Sequence, residues 1–62
     1  MIGEQIQARI TELNLTQAEA AEKLGITQSR LNLYINDKRE PNCEFIMKIC
    51  ETFDISPNYL FN

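Results

Sequence analysis

Residues 16–36 read TQAEAAEKLGITQSRLNLYIN, and the way this stretch has to turn decides the fold. Thr16 is followed three residues later by Glu19. At that spacing a Thr hydroxyl and a Glu carboxylate reciprocally satisfy backbone N–H groups left open at a helix start. The pattern predicts a helix opening at Thr16, with Ala18, Ala21 and Leu24 on its inward face. Gly25 ends it, because glycine enters the left-handed backbone region without a Cβ clash. Ile26 then turns inward, and Thr27 is placed to cap a second helix. There Leu31, Tyr34 and Ile35 recur at i, i+3 and i+4 and face the core, which leaves Gln28, Ser29, Asn32 and Leu33 together on the outer side.

A short helix, a tight glycine turn and a second helix with an amide-rich outer face make a helix-turn-helix. The flanking sequence reads as its support. Ile2, Ile6, Ile10 and Leu13 predict an amphipathic helix from about Ile2 to Leu13, with Glu4, Gln5, Gln7, Arg9 and Glu12 on its wetter sides. Asn14 ends that helix and Leu15 tucks inward. After the second motif helix, Asn36 and Asp37 stand at the break, where both residue types tolerate left-handed backbone. Residues 38–41 form a polar connector. Asn42 can cap a helix whose Phe45, Ile46, Ile49, Cys50 and Phe53 repeat at helical spacing, and Ser56 with Pro57 opens a short last helix through Tyr59, Leu60 and Phe61. The expectation is an all-α bundle of five helices, a single domain over residues 1–62, with no strand and no internal repeat.

Sixty-two residues leave little room for a large enclosed active site. The chain has no His, no nucleophile beside a plausible base and no Gly-rich phosphate loop, so neither catalysis, a cofactor nor a metal is expected. Cys43 and Cys50 are separated by about 10 Å of helical rise, beyond disulfide reach, and read as two buried or half-buried thiols. No run approaches a membrane span and the start lacks signal-peptide character, which predicts a cytoplasmic protein. A net charge of −3 argues against indiscriminate nucleic-acid binding, yet Arg30, Lys38 and Arg39 gather near the second motif helix, interrupted by Asp37 and Glu40.

With TQ at 16–17, Ala21, Gly25, TQS at 27–29, KREP at 38–41 and ISPNYLF at 55–61, the chain resembles the lambdoid phage repressor and Cro type of helix-turn-helix, also called Xre-like, over essentially its whole length. The resemblance implies a lambda-repressor-like fold whose second motif helix lies in the major groove of double-stranded DNA. It implies that Gln28, Ser29, Asn32 and Leu33 face bases, that Gln17 meets a phosphate, and that Asn36, Lys38 and Arg39 run along the backbone. Arg30, to one side, is assigned to the DNA surface. Further, it implies a bacterial or phage transcriptional regulator, a repressor before an activator, bound as a homodimer to a palindromic operator. The dimer contact falls on Pro57, Asn58, Tyr59 and Phe61, and the family allows for a C-terminal domain outside this chain. The side-chain chemistry agrees, since Gln and Asn can bond adenine bidentately and Leu can pack on a thymine methyl.

Three departures from the family involve four positions. Asp37 stands where Gly is frequent, Ala20 where a bulky Leu is frequent, and Ile10 and Ile35 where Arg and Glu are frequent. Joint loss of both charges avoids stranding either one in the core, and Ile10 and Ile35 are expected to meet there. The rival reading is a protein-binding helix-turn-helix, such as an antitoxin or an anti-repressor partner, whose amide face contacts protein while its acidic surface repels DNA.

Overall fold

In the computed structural model, which describes the backbone of residues 2–61 and the side chains of residues 2–60, side-chain caps open the helices where the sequence supplies them. The elements are α1 (Ile2–Glu12), α2 (Gln17–Leu24), α3 (Gln28–Ile35), α4 (Cys43–Phe53) and α5 (Pro57–Phe61), with no strand among the described residues. Thr16 and Glu19 close a full capping box on α2: the Glu19 N–H donates to the Thr16 hydroxyl at 3.1 Å and the Thr16 N–H to the Glu19 carboxylate at 2.9 Å. Thr27 accepts from the Arg30 N–H, Asn42 from that of Phe45, and Ser56 from that of Tyr59.

The first four helices end alike. Asn14, Gly25, Asp37 and Asp54 take φ of 57°, 72°, 56° and 53°. The next N–H then reaches back five residues, from Leu15 to Ile10, Ile26 to Ala21, Lys38 to Leu33 and Ile55 to Cys50, at 2.9–3.1 Å. This is the Schellman closure, which satisfies carbonyls that a helix end leaves open. Leu15, Ile26 and Ile55 also pack against the core, so three of the turns carry an apolar anchor. The fourth does not. Lys38 stays exposed, and the turn after α3 is held by Asp37, whose carboxylate accepts the Gly3 N–H at 3.1 Å.

All five helices contribute to one core, with Ile6 and Ile10 from α1, Ala20, Ala21 and Leu24 from α2, Leu31 and Tyr34 from α3, Phe45, Ile49 and Phe53 from α4, and Leu60 from α5. Tyr34 stacks on Phe45 with ring centroids 4.6 Å apart. Ile10 lies inside this core and Ile35, half-buried, packs against it. Arg9 ties α1 to the far end of α4, its guanidinium donating to the carbonyls of Phe53 at 3.0 Å and Asp54 at 3.3 Å.

Four local expectations need correction. Ala18 is exposed, and Ala20 is buried in its place. At about 100° per residue, Ala20, Leu24 and Ala21 span one arc while Ala18 lies roughly 60° beyond its edge. Leu13 falls past the last residue of α1 and is 39% exposed. Cys43, first residue of α4, is exposed, and only Cys50 is half-buried. Pro41 is buried, so the connector is not polar throughout.

Candidate nucleic-acid interface

Thr27 holds extended backbone at φ −77°, ψ 155°, and its hydroxyl fixes the first turn of α3. That turn carries Gln28 and Ser29, both exposed. One turn later on the same side come Asn32 and Leu33, the latter 39% exposed although apolar. An open Leu beside three hydrogen-bonding side chains makes a surface able to meet both polar edges and a methyl group.

Gln17, first residue of α2, is half-buried against this surface. Asn32 Nδ2 donates to Gln17 Oε1 at 3.4 Å, and Asn36 Nδ2 donates to Asn32 Oδ1 at 2.9 Å and to the Asn32 carbonyl at 3.0 Å. Three of the sequence-assigned residues are thus brought into one bonded group. The capping box uses the N–H groups of Thr16 and Glu19. Helix geometry gives those of Gln17 and Ala18 no intrahelical acceptor, so this corner offers donors suited to an anion. Backbone bonding from Thr16 comes first, then its hydroxyl and the Lys23 charge, in holding the Glu19 carboxyl below its ordinary range.

Arg30 leaves the reading row. Its guanidinium lies 6.0 Å from the Tyr34 ring centre and 5.8 Å from that of Phe45, and Nε and Nη2 both donate to the Tyr34 hydroxyl at 3.4 Å. Two long bonds and two aromatic faces lean the cation toward α4. Lys38 and Arg39 are exposed in the connector that follows. In α5, Pro57 and Asn58 are exposed, whereas Tyr59 is half-buried and donates to Glu12 of α1 at 3.5 Å. The expectation for the Phe61 side chain lies outside the described residues.

Sequence reasoning missed the residues that brace this surface from α1. A Cβ on Gly3 would stand 2.2 Å from the Ile35 carbonyl oxygen, so α1 meets the end of α3 backbone to backbone. Gln7 accepts from Gln17 Nε2 at 3.3 Å. A glycine two residues into a helix that tolerates many alternatives was the one available signal for the first; nothing in the spacing of Gln7 marks the second.

The pattern of a family described as Helix-turn-helix matches residues 6–60. The chain belongs to that helix-turn-helix family. Among its relatives, the HTH-type transcriptional regulator ImmR of Bacillus subtilis (strain 168) is 32% identical over 59 residues, covering 95% of this chain and 46% of ImmR. Repressor protein C2 of Salmonella phage P22 is 28% identical over 60 residues, 97% of this chain and 28% of C2. The helix-turn-helix chain therefore spans about half the length of these curated relatives, or less. In solved structures, the P22 c2 repressor in complex with synthetic operator 9T matches with a TM-score of 0.87 at 28% identity, over 97% of this chain and 91% of that one. The nuclear magnetic resonance structure of the P22 c2 DNA-binding domain matches at 0.90, over 98% and 80%. The five-helix arrangement is that of the lambda-repressor-like helix-turn-helix proteins.

Proposed function

We propose that this helix-turn-helix protein binds double-stranded DNA in a sequence-specific manner and regulates transcription, as a repressor. The observation that carries the reading is the exposed row Gln28, Ser29, Asn32 and Leu33 at the capped start of α3, in a chain that superposes on a repressor solved with its operator. In this reading Gln28 and Asn32 bond base edges, Ser29 adapts to either donor or acceptor, and Leu33 packs on a thymine methyl. Gln17, Asn36, Lys38 and Arg39 hold the sugar-phosphate backbone, and Arg30 extends that hold along α4. Two copies meet through Pro57, Asn58, Tyr59 and Phe61 and read half-sites about 34 Å apart in a palindromic operator. The activity belongs where the DNA is, in the cytoplasm of a bacterium or of a phage-infected cell, and requires no catalysis.

The charge balance sets the test. With a net charge of −3, binding rests on local cations and fit. Titration of duplex DNA at two salt concentrations should show affinity falling with salt, and Lys38→Ala or Arg39→Ala should each weaken all sequences alike and flatten the log–log salt slope by about one. Absence of duplex binding at low salt would reject the proposal and favour the protein-binding module.

A further inference from the structure

The hydrogen bonds around Asn32 run in one direction and reach across three helices. The Thr11 hydroxyl donates to the Gln7 backbone carbonyl at 3.0 Å, and a backbone carbonyl can only accept. The Thr11 oxygen is therefore left as an acceptor, which it is for Gln7 Nε2 at 3.2 Å. That turns the Gln7 side-chain oxygen to Gln17, whose Nε2 donates to it at 3.3 Å. Gln17 in turn shows its oxygen to Asn32, and Asn32 shows its own to Asn36. At the other end, Asn36 Nδ2 also bonds the Asn32 backbone carbonyl, again a pure acceptor. Both ends of the chain are thus anchored on carbonyls that permit one polarity. Reversing any single amide would set oxygen against oxygen or N–H against N–H.

We infer that Thr11 and Gln7 of α1, acting through Gln17, and Asn36 beyond α3, bonded to Asn32 directly, are positioning residues for base preference that fix which way the Asn32 amide faces. This rests on the proposed reading of bases by α3. The relay consumes one N–H and one lone pair of the Asn32 amide and leaves one of each. An adenine edge needs such a pair, an acceptor for its N6 amino group and a donor for its N7, in fixed order. Asn36 still holds the Asn32 oxygen when the α1 arm is cut, so losing Gln7 or Thr11 loosens this order without abolishing it. Gln7 and Thr11 lie on α1, outside the reading row of α3, so a change there that alters preference at one base pair acts through the relay.

The test compares wild type, Gln7→Ala, Thr11→Val, Thr11→Ser and Asn32→Ala on a duplex selected from a random pool and on its single-base variants. Alongside it, the side-chain NH2 signals of Asn32 are followed by nuclear magnetic resonance in the DNA-free proteins. Gln7→Ala and Thr11→Val should relax preference roughly two- to fivefold at the base pair that Asn32→Ala relaxes, and at no other. Thr11→Ser keeps the hydroxyl and should keep the preference. In free Gln7→Ala, the Asn32 NH2 signals should move. If those signals stay in place, or if Asn32→Ala relaxes a base pair that Gln7→Ala and Thr11→Val leave intact, the relay is overturned while base reading stands. If Asn32→Ala leaves every preference unchanged although the Asn32 signals move in Gln7→Ala, the base-reading role of Asn32 is what fails, and with it the consequence drawn here.

Discussion

Gly3→Ala should destabilise the protein, against the direction that helix propensity alone gives. In a helix interior, Ala in place of Gly is worth about 1 kcal/mol in favour of the helix. Here the added Cβ would lie 2.2 Å from the Ile35 carbonyl oxygen and 2.7 Å from that of Tyr34, both backbone atoms in the last turn of α3. Ordinary contact requires the two helices to part by roughly 1 Å. Overpacking of that kind costs about 1 to 3 kcal/mol. Parting the helices also stretches the bond from the Gly3 N–H to Asp37, now 3.1 Å and worth about 1 kcal/mol. The net expectation is a loss of about 1 to 3 kcal/mol, a large share of the few kcal/mol that a domain this small possesses. Urea denaturation followed by far-ultraviolet circular dichroism measures it, and the melting temperature should fall by about 5 to 20 °C. A Gly3→Ala protein as stable as wild type, or more stable, would refute the close approach of α1 to α3.

Three further outcomes follow from other contacts. Arg9→Met keeps the side-chain stem but removes the donors to the Phe53 and Asp54 carbonyls, and should cost about 1 to 2 kcal/mol in the same denaturation assay. Glu19 has its folded carboxyl held below the ordinary value of 4.5, first by the Thr16 N–H, so its contribution is complete above that pH and is lost as pH falls through the folded value. Glu19→Gln should therefore flatten the acid limb of a stability–pH curve, and an unchanged limb would dismiss the capping box as its source. Burial, then the Glu51 charge, pushes the half-buried Cys50 thiol up, while Cys43 is exposed. Timed alkylation with peptide mapping should label Cys43 before Cys50, and equal rates would contradict the orientation of α4.

What could be read from the sequence was local chemistry. Thr16 with Glu19, Thr27, Asn42, Ser56 and Gly25 each announce a helix boundary through bonds made within a few residues, and each boundary stands where the residue types put it. The outer row of α3 was legible for the same reason, because helical spacing alone separates Gln28, Ser29, Asn32 and Leu33 from Leu31 and Tyr34. Whatever depends on which neighbour a helix meets was not. Ala18 and Ala20 are chemically identical, and only the placement of α2 in the bundle decides which is covered. Gly3 looks like a weak helix residue until the end of α3 is laid against it. Asp37, where the family often has Gly, reads as a charge that opposes phosphate, but in the fold its carboxylate accepts the first-turn N–H of Gly3. The relay through Gln7 joins residues from three helices, and no periodicity along a single helix could report it.

The central claim, that the outer face of α3 is the reading head, is tested most directly by Gln28→Ala and Asn32→Ala. Each is measured beside wild type on the selected operator and on every single-base variant of it. Both side chains are exposed, so folding should be nearly unchanged. Each substitution should cost about 1 to 3 kcal/mol on the operator and relax preference at one base pair. Wild-type affinity together with wild-type base preference in both variants would contradict the claim and return the amide face to the protein-binding reading.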